Sequence, residues 1–235
     1  MSKDVIIACD FASKKDTLTF LDRFGEVRPF VKIGMELFYS EGPDIVRELK
    51  QRGHQIFLDL KLHDIPNTVE KTCRVLANLD VDMVNVHAAG TIAMMQAARR
   101  GLSIKQGKQP LLIAVTQLTS TDQTALENEL DIHRDMQDVV MHYAQNAKAA
   151  GLDGVVCSPW EADQVHQACG ADFVTVTPGI RFASSQKDDQ KRIMTPVQAA
   201  RVGCDYIVVG RPITQAQDPV AAYQECVREF TKETR

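Results

Sequence analysis

Val5-Ile6-Ile7-Ala8-Cys9-Asp10-Phe11-Ala12-Ser13 is the stretch on which the fold turns. Five consecutive apolar residues ended by a charge read as a strand covered on both faces, as in a parallel sheet. The residues just past the strand separate two ways of building such a sheet. An open, doubly wound sheet usually carries a glycine-rich nucleotide loop after its first strand. Here that position holds Asp10, Phe11, Ala12 and Ser13, and no GxGxxG or P-loop pattern occurs in the 235 residues.

Outward from this strand the same alternation repeats. Further apolar runs at 30–33, 55–59, 83–86, 111–115, 154–157, 173–176 and 206–209 join 5–9 as strand candidates. Between them lie helical spacings such as Val69, Cys73, Leu76, Ala77 and Met136, Val139, Val140, Tyr143, Ala144, Ala147. Ser158-Pro159-Trp160-Glu161 and Thr195-Pro196-Val197-Gln198 each supply an N-cap, a proline at N1 and a capping-box residue at N3. Asp218-Pro219 repeats the cap and the proline, while Gly53 and Gly151 mark helix ends. Eight strands, each followed by a helix, predict a (β/α)8 barrel. With no linker, repeat or low-complexity segment, residues 1–235 read as one domain. The longer polar stretches are 99–109, 119–135 and 182–192.

Composition narrows the function classes. The charge balance is 27 − 31 = −4 with no basic tract, so nucleic acid is a poor partner. The apolar fraction of 44% suits a globular core, and the apolar run near the start is too short for a signal peptide or a membrane span. Cysteines 9, 73, 157, 169, 204 and 226 include no CxxC pair, and four sit on apolar periodic segments. Buried free thiols, and hence a reducing cytoplasm, are the expectation.

Barrels of this kind carry chemistry at the C-terminal ends of their strands. Those ends read Asp10, Lys32, Asp59 with Lys61, His87, Thr116 onward, Ser158, Thr177-Pro178-Gly179 and Gly210-Arg211. The densest is Asp59-Leu60-Lys61-Leu62-His63-Asp64, directly after Ile56-Phe57-Leu58. Strand alternation puts Asp59 and Lys61 on one face, with Asp64 in the turn beyond. A structural ion pair accounts for one Asp and one Lys; it leaves Asp64 and Lys32 unexplained. By the same alternation His63 faces away from Lys61, and His87 either faces the site or serves the scaffold.

After strands seven and eight come Pro178-Gly179-Ile180-Arg181 and Gly210-Arg211-Pro212-Ile213-Thr214. Glycine opens backbone N–H groups to an anion, a helix start adds a dipole, and arginine clamps phosphate oxygens. Solvated loop arginines are the alternative. The polar run 182–190 reads as a lid closing over a phosphorylated ligand, or as an ordinary surface loop. No HExxH, paired-cysteine or clustered-histidine metal pattern occurs.

The segment DLKLHDIPNT, Asp59 to Thr68, resembles the signature of the orotidine 5′-phosphate decarboxylases. Similar blocks are Ile7-Ala8-Cys9-Asp10-Phe11-Ala12, Phe30-Val31-Lys32-Ile33-Gly34, Val84-Asn85-Val86-His87-Ala88-Ala89, Thr175-Val176-Thr177-Pro178-Gly179-Ile180-Arg181 and Val208-Val209-Gly210-Arg211-Pro212-Ile213-Thr214. They run in the family's order over nearly the whole chain. The DxKxxD core is shared with other sugar-phosphate decarboxylases and aldolases, whereas LHDIPNT and the late Gly-Arg pair narrow the match.

The resemblance implies conversion of orotidine 5′-monophosphate to uridine 5′-monophosphate (UMP) and CO2, the last step of UMP biosynthesis, with no metal or organic cofactor. It makes Lys61 the group that stabilises and protonates the C6 carbanion. Asp59 and Asp64 hold that ammonium, Asp64 reaching across a homodimer interface. Lys32 and Asp10 are expected at the ribose. Thr68, Thr119, Pro178 and Gln190 are expected to contact the nucleotide, and Arg181, Gly210 and Arg211 the phosphate. Two rivals remain: a Mg²⁺-dependent sugar-phosphate decarboxylase or hexulose-phosphate synthase, and a non-catalytic nucleotide-phosphate binder.

Overall fold

The computed structural model describes residues 3–103, 107–182 and 193–231. Its strands are β1 (Asp4–Ala8), β2 (Phe30–Gly34), β3 (Ile56–Leu62), β4 (Met83–His87), β5 (Leu111–Val115), β6 (Gly154–Val156), β7 (Val174–Thr177) and β8 (Tyr206–Val209). All pair in parallel and in chain order, and β8 closes on β1. The architecture is a (β/α)8 barrel, as the sequence predicts. Strand bounds match to within a residue or two, except that β3 runs on to Leu62.

Alternation along the strands sorts the core into two sets. Ile6, Phe30, Phe57, Met83, Ile113, Val174, Val176 and Val208 pack inside the barrel. Val5, Ile7, Val31, Ile33, Ile56, Leu58, Val84, Val86 and Leu112 point outward into the layer beneath the helices. The inner apolar set stops short of the C-terminal rim, where Lys32, Asp59 and Asn85 take the inward positions.

Local signals behave as read. Ser158 and Thr195 both form complete capping boxes. Asp218 Oδ1 accepts the amides of Val220 and Ala221 at the start of the helix Pro219–Thr231. The polar stretch 119–135 contains one short helix, Gln123–Asn128, capped by the Asp122 side chain. Arg99, at the start of the polar stretch 99–109, belongs to the helix Thr91–Leu102. All six cysteines are buried free thiols. No helix among the described residues is long and apolar enough to cross a membrane.

The N-terminal rim is tied by a repeated device. Asp82, Asp153 and Asp205 stand just before β4, β6 and β8, and each carboxylate accepts the amide of a residue in the preceding strand. The donors are the amides of Ile56, Leu112 and Thr175, at 2.9, 2.7 and 2.8 Å. Each carboxylate also meets a cation: Lys50, Arg99 and His166 respectively. Otherwise unpaired strand-end amides thus find charged acceptors, and the charges are themselves compensated.

The third pin titrates. His166 Nε2 lies 3.0 Å from Asp205, whose hydrogen bond holds the imidazole pKa above its usual value against the effect of burial. Burial pushes the Asp205 carboxyl up, but hydrogen bonds from His166 and the Thr175 amide outweigh it and leave its pKa lowered. The raised His contributes stability below its unfolded pKa, lost as pH rises through the folded value. The lowered Asp contributes above its unfolded pKa, lost as pH falls through the folded value. The pair therefore acts most between about pH 4 and 6.5. His166→Gln is expected to cost about 1 kcal/mol at pH 5.5, some 2–4 °C in a melting curve, and clearly less at pH 8.5. Equal losses at both pH values would assign His166 to packing alone.

Candidate active site

Side chains from β2, β3 and the segment just after β1 form an alternating row of charge at the C-terminal rim. Asp10 Oδ1 accepts from Lys32 Nζ at 2.9 Å, Lys32 Nζ lies 3.3 Å from Asp59 Oδ2, and Lys61 Nζ lies 2.6 Å from Asp59 Oδ1. Lys32 and Asp59 are inward neighbours on adjacent strands and are almost fully buried. Burial works against the Lys32 charge, but Asp59 and Asp10 outweigh it and hold its pKa above the ordinary lysine value. Burial likewise pushes Asp59 up; Lys32 and Lys61, with hydrogen bonds from Lys61 and Asn85, leave its pKa lowered. Each buried member of the row thus stays charged because its neighbours do. Cys9, buried beside the row, has its thiol pushed up to about 12, chiefly by desolvation, and is no nucleophile at neutral pH.

Lys61 reaches this place by an irregular backbone. Leu58 pairs with Val84 and Leu62 with Val86, so β3 spends extra residues against β4. Within this bulge Lys61 adopts a left-handed conformation, φ 49°, which costs a non-glycine residue roughly 1–3 kcal/mol. Simple alternation therefore brought Asp59 and Lys61 together for an incomplete reason. Gly34 leaves room for the row, because a Cβ there would sit 3.2 Å from both Asp10 Oδ1 and Lys32 Nζ and push on their contact.

The row borders a cavity of about 300 Å³. Lys32, Asp59, Lys61, Thr119 and Pro178 line it, over an apolar floor of Phe57, Val115, Val156, Val176 and Val208. Sequence reasoning gave no role to Asn85, Gln117, Leu118 or Ser120, which also line it. For Asn85 a signal existed, a lone amide at an inward position of an apolar strand. The others sit on an irregular loop with no periodicity to read.

The remaining expected site residues lie outside the lining. Arg181, largely buried, donates from Nη1 to the Ile180 carbonyl at 2.9 Å; Gly210 and the exposed Arg211 come after β8 on the adjacent loop. Gly179, with φ 82°, makes the turn after β7, and Ile180 bridges to Met194. The helix after β8, Arg211–Thr214, is a single turn, so its dipole adds little to the charge of Arg211. Asp64 is exposed in the bend after β3, accepts the Ile65 amide at 2.6 Å and forms no ion pair with Lys61 of its own chain. Thr68 is likewise exposed, on the first turn of the helix Pro66–Leu76. Gln190 and most of the 182–190 stretch fall outside the described residues.

His87 is half-buried at the end of β4, with its ring centroid 5.6 Å from that of the exposed His63. Burial, then His63 and Lys61, hold its pKa below the usual value. It belongs to the edge of the charge row and does not line the cavity. Among the described residues no group of three or more His, Cys, Asp or Glu converges as a metal site.

The chain closely resembles known proteins. The profile of the orotidine 5′-phosphate decarboxylase / HUMPS family matches residues 3–226. Orotidine 5′-phosphate decarboxylase of Geobacillus sp. (strain WCH70) is 52% identical over the full length of both chains. That of Bacillus cytotoxicus is 55% identical over 95% of each. The crystal structure of orotidine 5′-phosphate decarboxylase from Lactobacillus acidophilus superposes with a TM-score of 0.88 at 42% identity, covering 97% of this chain and 99% of that one. With the same barrel and a match from near the first residue into the last helix, this chain belongs to the orotidine 5′-phosphate decarboxylase / HUMPS family.

Proposed function

We propose that the chain decarboxylates orotidine 5′-monophosphate to UMP and CO2, the last step of UMP biosynthesis. The observation that carries this reading is the row Asp10–Lys32–Asp59–Lys61 at the mouth of an apolar-floored cavity. Loss of CO2 from C6 leaves an electron pair in the ring plane, where the π system stabilises it poorly. A fixed positive charge beside C6 is the remedy, and it is most effective when it needs no reorganisation. Lys32 spends its charge on two carboxylates. Among the described residues Lys61, at the end of the row, pairs with Asp59 alone, and it is the more exposed ammonium. It stabilises the carbanion and then delivers a proton to C6. Enzymes lower barriers by roughly 8–23 kcal/mol, and a reaction this slow without catalysis calls for the upper part of that range.

Asp10 and Lys32 are assigned to the ribose, Thr119 and Pro178 to the nucleotide, and Arg181, Gly210 and Arg211 to the phosphate. Phosphate binding remote from C6 supplies energy for assembling the charged site. Asp64 and Thr68 are exposed and do not line their own cavity, and the segments after β2 and β3 also expose the apolar side chains of Met35, Tyr39 and Ile65. They are assigned to the site of a second copy in a homodimer, with Asp64 completing the carboxylates around the partner's ammonium. The six buried thiols fit a cytoplasmic setting.

The family name spans two chemistries, and the Mg²⁺-dependent sugar-phosphate branch is the second reading. The donor set disfavours it: the cavity's buried carboxylate, Asp59, is already held between two ammonium groups that would repel a dication.

Purified protein with excess EDTA is expected to convert orotidine 5′-monophosphate to UMP, monitored as loss of the orotate absorbance. Activity that vanishes with EDTA and returns with Mg²⁺ would favour the second reading. Lys61→Ala should lower turnover by at least ~100- to 1000-fold while UMP still binds. Arg211→Ala should weaken use of orotidine 5′-monophosphate much more than use of orotidine; equal losses on both would remove Arg211 from the phosphate. Mixed Asp64→Asn and Lys61→Ala subunits, each inactive alone, should recover about a quarter of native sites after random exchange. No recovery with exchange demonstrated would mean a self-contained site.

A further inference from the structure

We infer that Asn85 is the positioning residue that fixes Lys61 for proton delivery, an assignment that rests on the decarboxylase reading. Asn85 sits on β4 opposite the bulge, so that Asp59, Leu60 and Lys61 together face the single strand position it occupies. Its Oδ1 accepts the Lys61 backbone amide at 2.8 Å, where the irregular ladder leaves that N–H without a strand partner. Its Nδ2 donates to Asp59 Oδ1 at 2.7 Å, and the same oxygen receives the Lys61 ammonium at 2.6 Å. The circuit is closed: Asn85 holds the backbone of Lys61 and also the carboxylate that holds its side-chain end. Asn85 itself is only 2% exposed.

The chemistry selects the residue type. An ionised carboxylate only accepts and a peptide N–H only donates, so the bridging group must carry both functions on one planar carbon. Aspartate would keep the bond to the Lys61 amide but oppose Asp59 with a second carboxylate. Alanine would remove both bonds and release the left-handed turn. The groups facing Asp59 are Lys32 from β2, Lys61 on its own strand and Asn85 from β4; His87 lies farther along β4, and Asp10 of the first-strand segment acts through Lys32.

The test is steady-state kinetics of wild type, Asn85→Ala and Asn85→Asp on orotidine 5′-monophosphate, with UMP binding and a pH profile for each. We expect kcat to fall about 100-fold in both variants, as for a reacting group displaced by about an ångström. KM and UMP affinity should stay within about threefold, because the phosphate contacts are untouched. In Asn85→Ala the acid limb of kcat should move to higher pH, since Asp59 loses a donor that favours its charged form. Loss of folded protein would lower the active fraction without moving that limb. If the alanine variant does not fold, the near-isosteric aspartate variant decides: folded protein with kcat near wild type overturns the assignment. An unmoved acid limb in folded Asn85→Ala, or a kcat within about threefold of wild type, also overturns it. A wild type that leaves orotidine 5′-monophosphate unchanged would instead overturn the decarboxylase reading itself.

Discussion

Burying a charge without a partner costs several kcal/mol, and the C-terminal rim of this barrel is arranged around that constraint. Lys32 is registered with Ala8 and Phe57 while Asp59 is registered with Gly34, so the long Lys32 side chain reaches two residues up the rim to lie between Asp10 and Asp59. Asp10, Lys32, Asp59 and Lys61 meet in alternating sign, and each buried member owes its ionisation to the next. Removing an interior member would strand its neighbour, a loss of about 3–5 kcal/mol for a buried pair. The row also explains details nearby. Gly34 leaves room for the Asp10–Lys32 contact, and Asn85 completes the hydrogen bonding of Asp59.

The two rims use the same chemistry for different ends. At the N-terminal rim Asp82, Asp153 and Asp205 satisfy strand amides and are each held by a cation, so their bonding capacity is spent within the fold. At the C-terminal rim the row ends on a lysine paired with one carboxylate beside an apolar-floored cavity. Low polarity around that ammonium strengthens its interaction with charge developing on a bound ligand. This is the usual division of a barrel, stability below and chemistry above. Here the division arises from which donors the fold has already used.

The bulge in β3 links the two themes. A regular strand would give the Lys61 amide to the ladder and let the side chain fall where alternation dictates. Instead the left-handed residue is held through its own amide, its ammonium and a shared carboxylate. Backbone strain of this kind persists where surrounding contacts over-determine it, as they do at Lys61.

The architecture was legible in the sequence because its signals are local. Apolar runs, proline-led helix starts and C-cap glycines each act within a few residues of themselves, and their order alone implied eight parallel strands. The polar residues at the strand ends were legible for the same reason, and the family likeness named a role for most of them. Tertiary structure decided what depends on register and closure. Alternation assigns a face but not a neighbour across the sheet, so neither the Asn85 clamp nor the Asp10–Lys32 contact over Gly34 was visible along the chain. A bulge resets alternation, which is why the meeting of Asp59 and Lys61 was foreseen but the left-handed backbone beneath it was not. Asp64 and Thr68, close in the motif to Lys61, turn out of its cavity because the chain bends sharply after β3. The family likeness had implied that Asp64 reaches another subunit's site; that Asp64 and Thr68 stay outside the lining of their own cavity follows from one bend, whose direction only the packed barrel fixes.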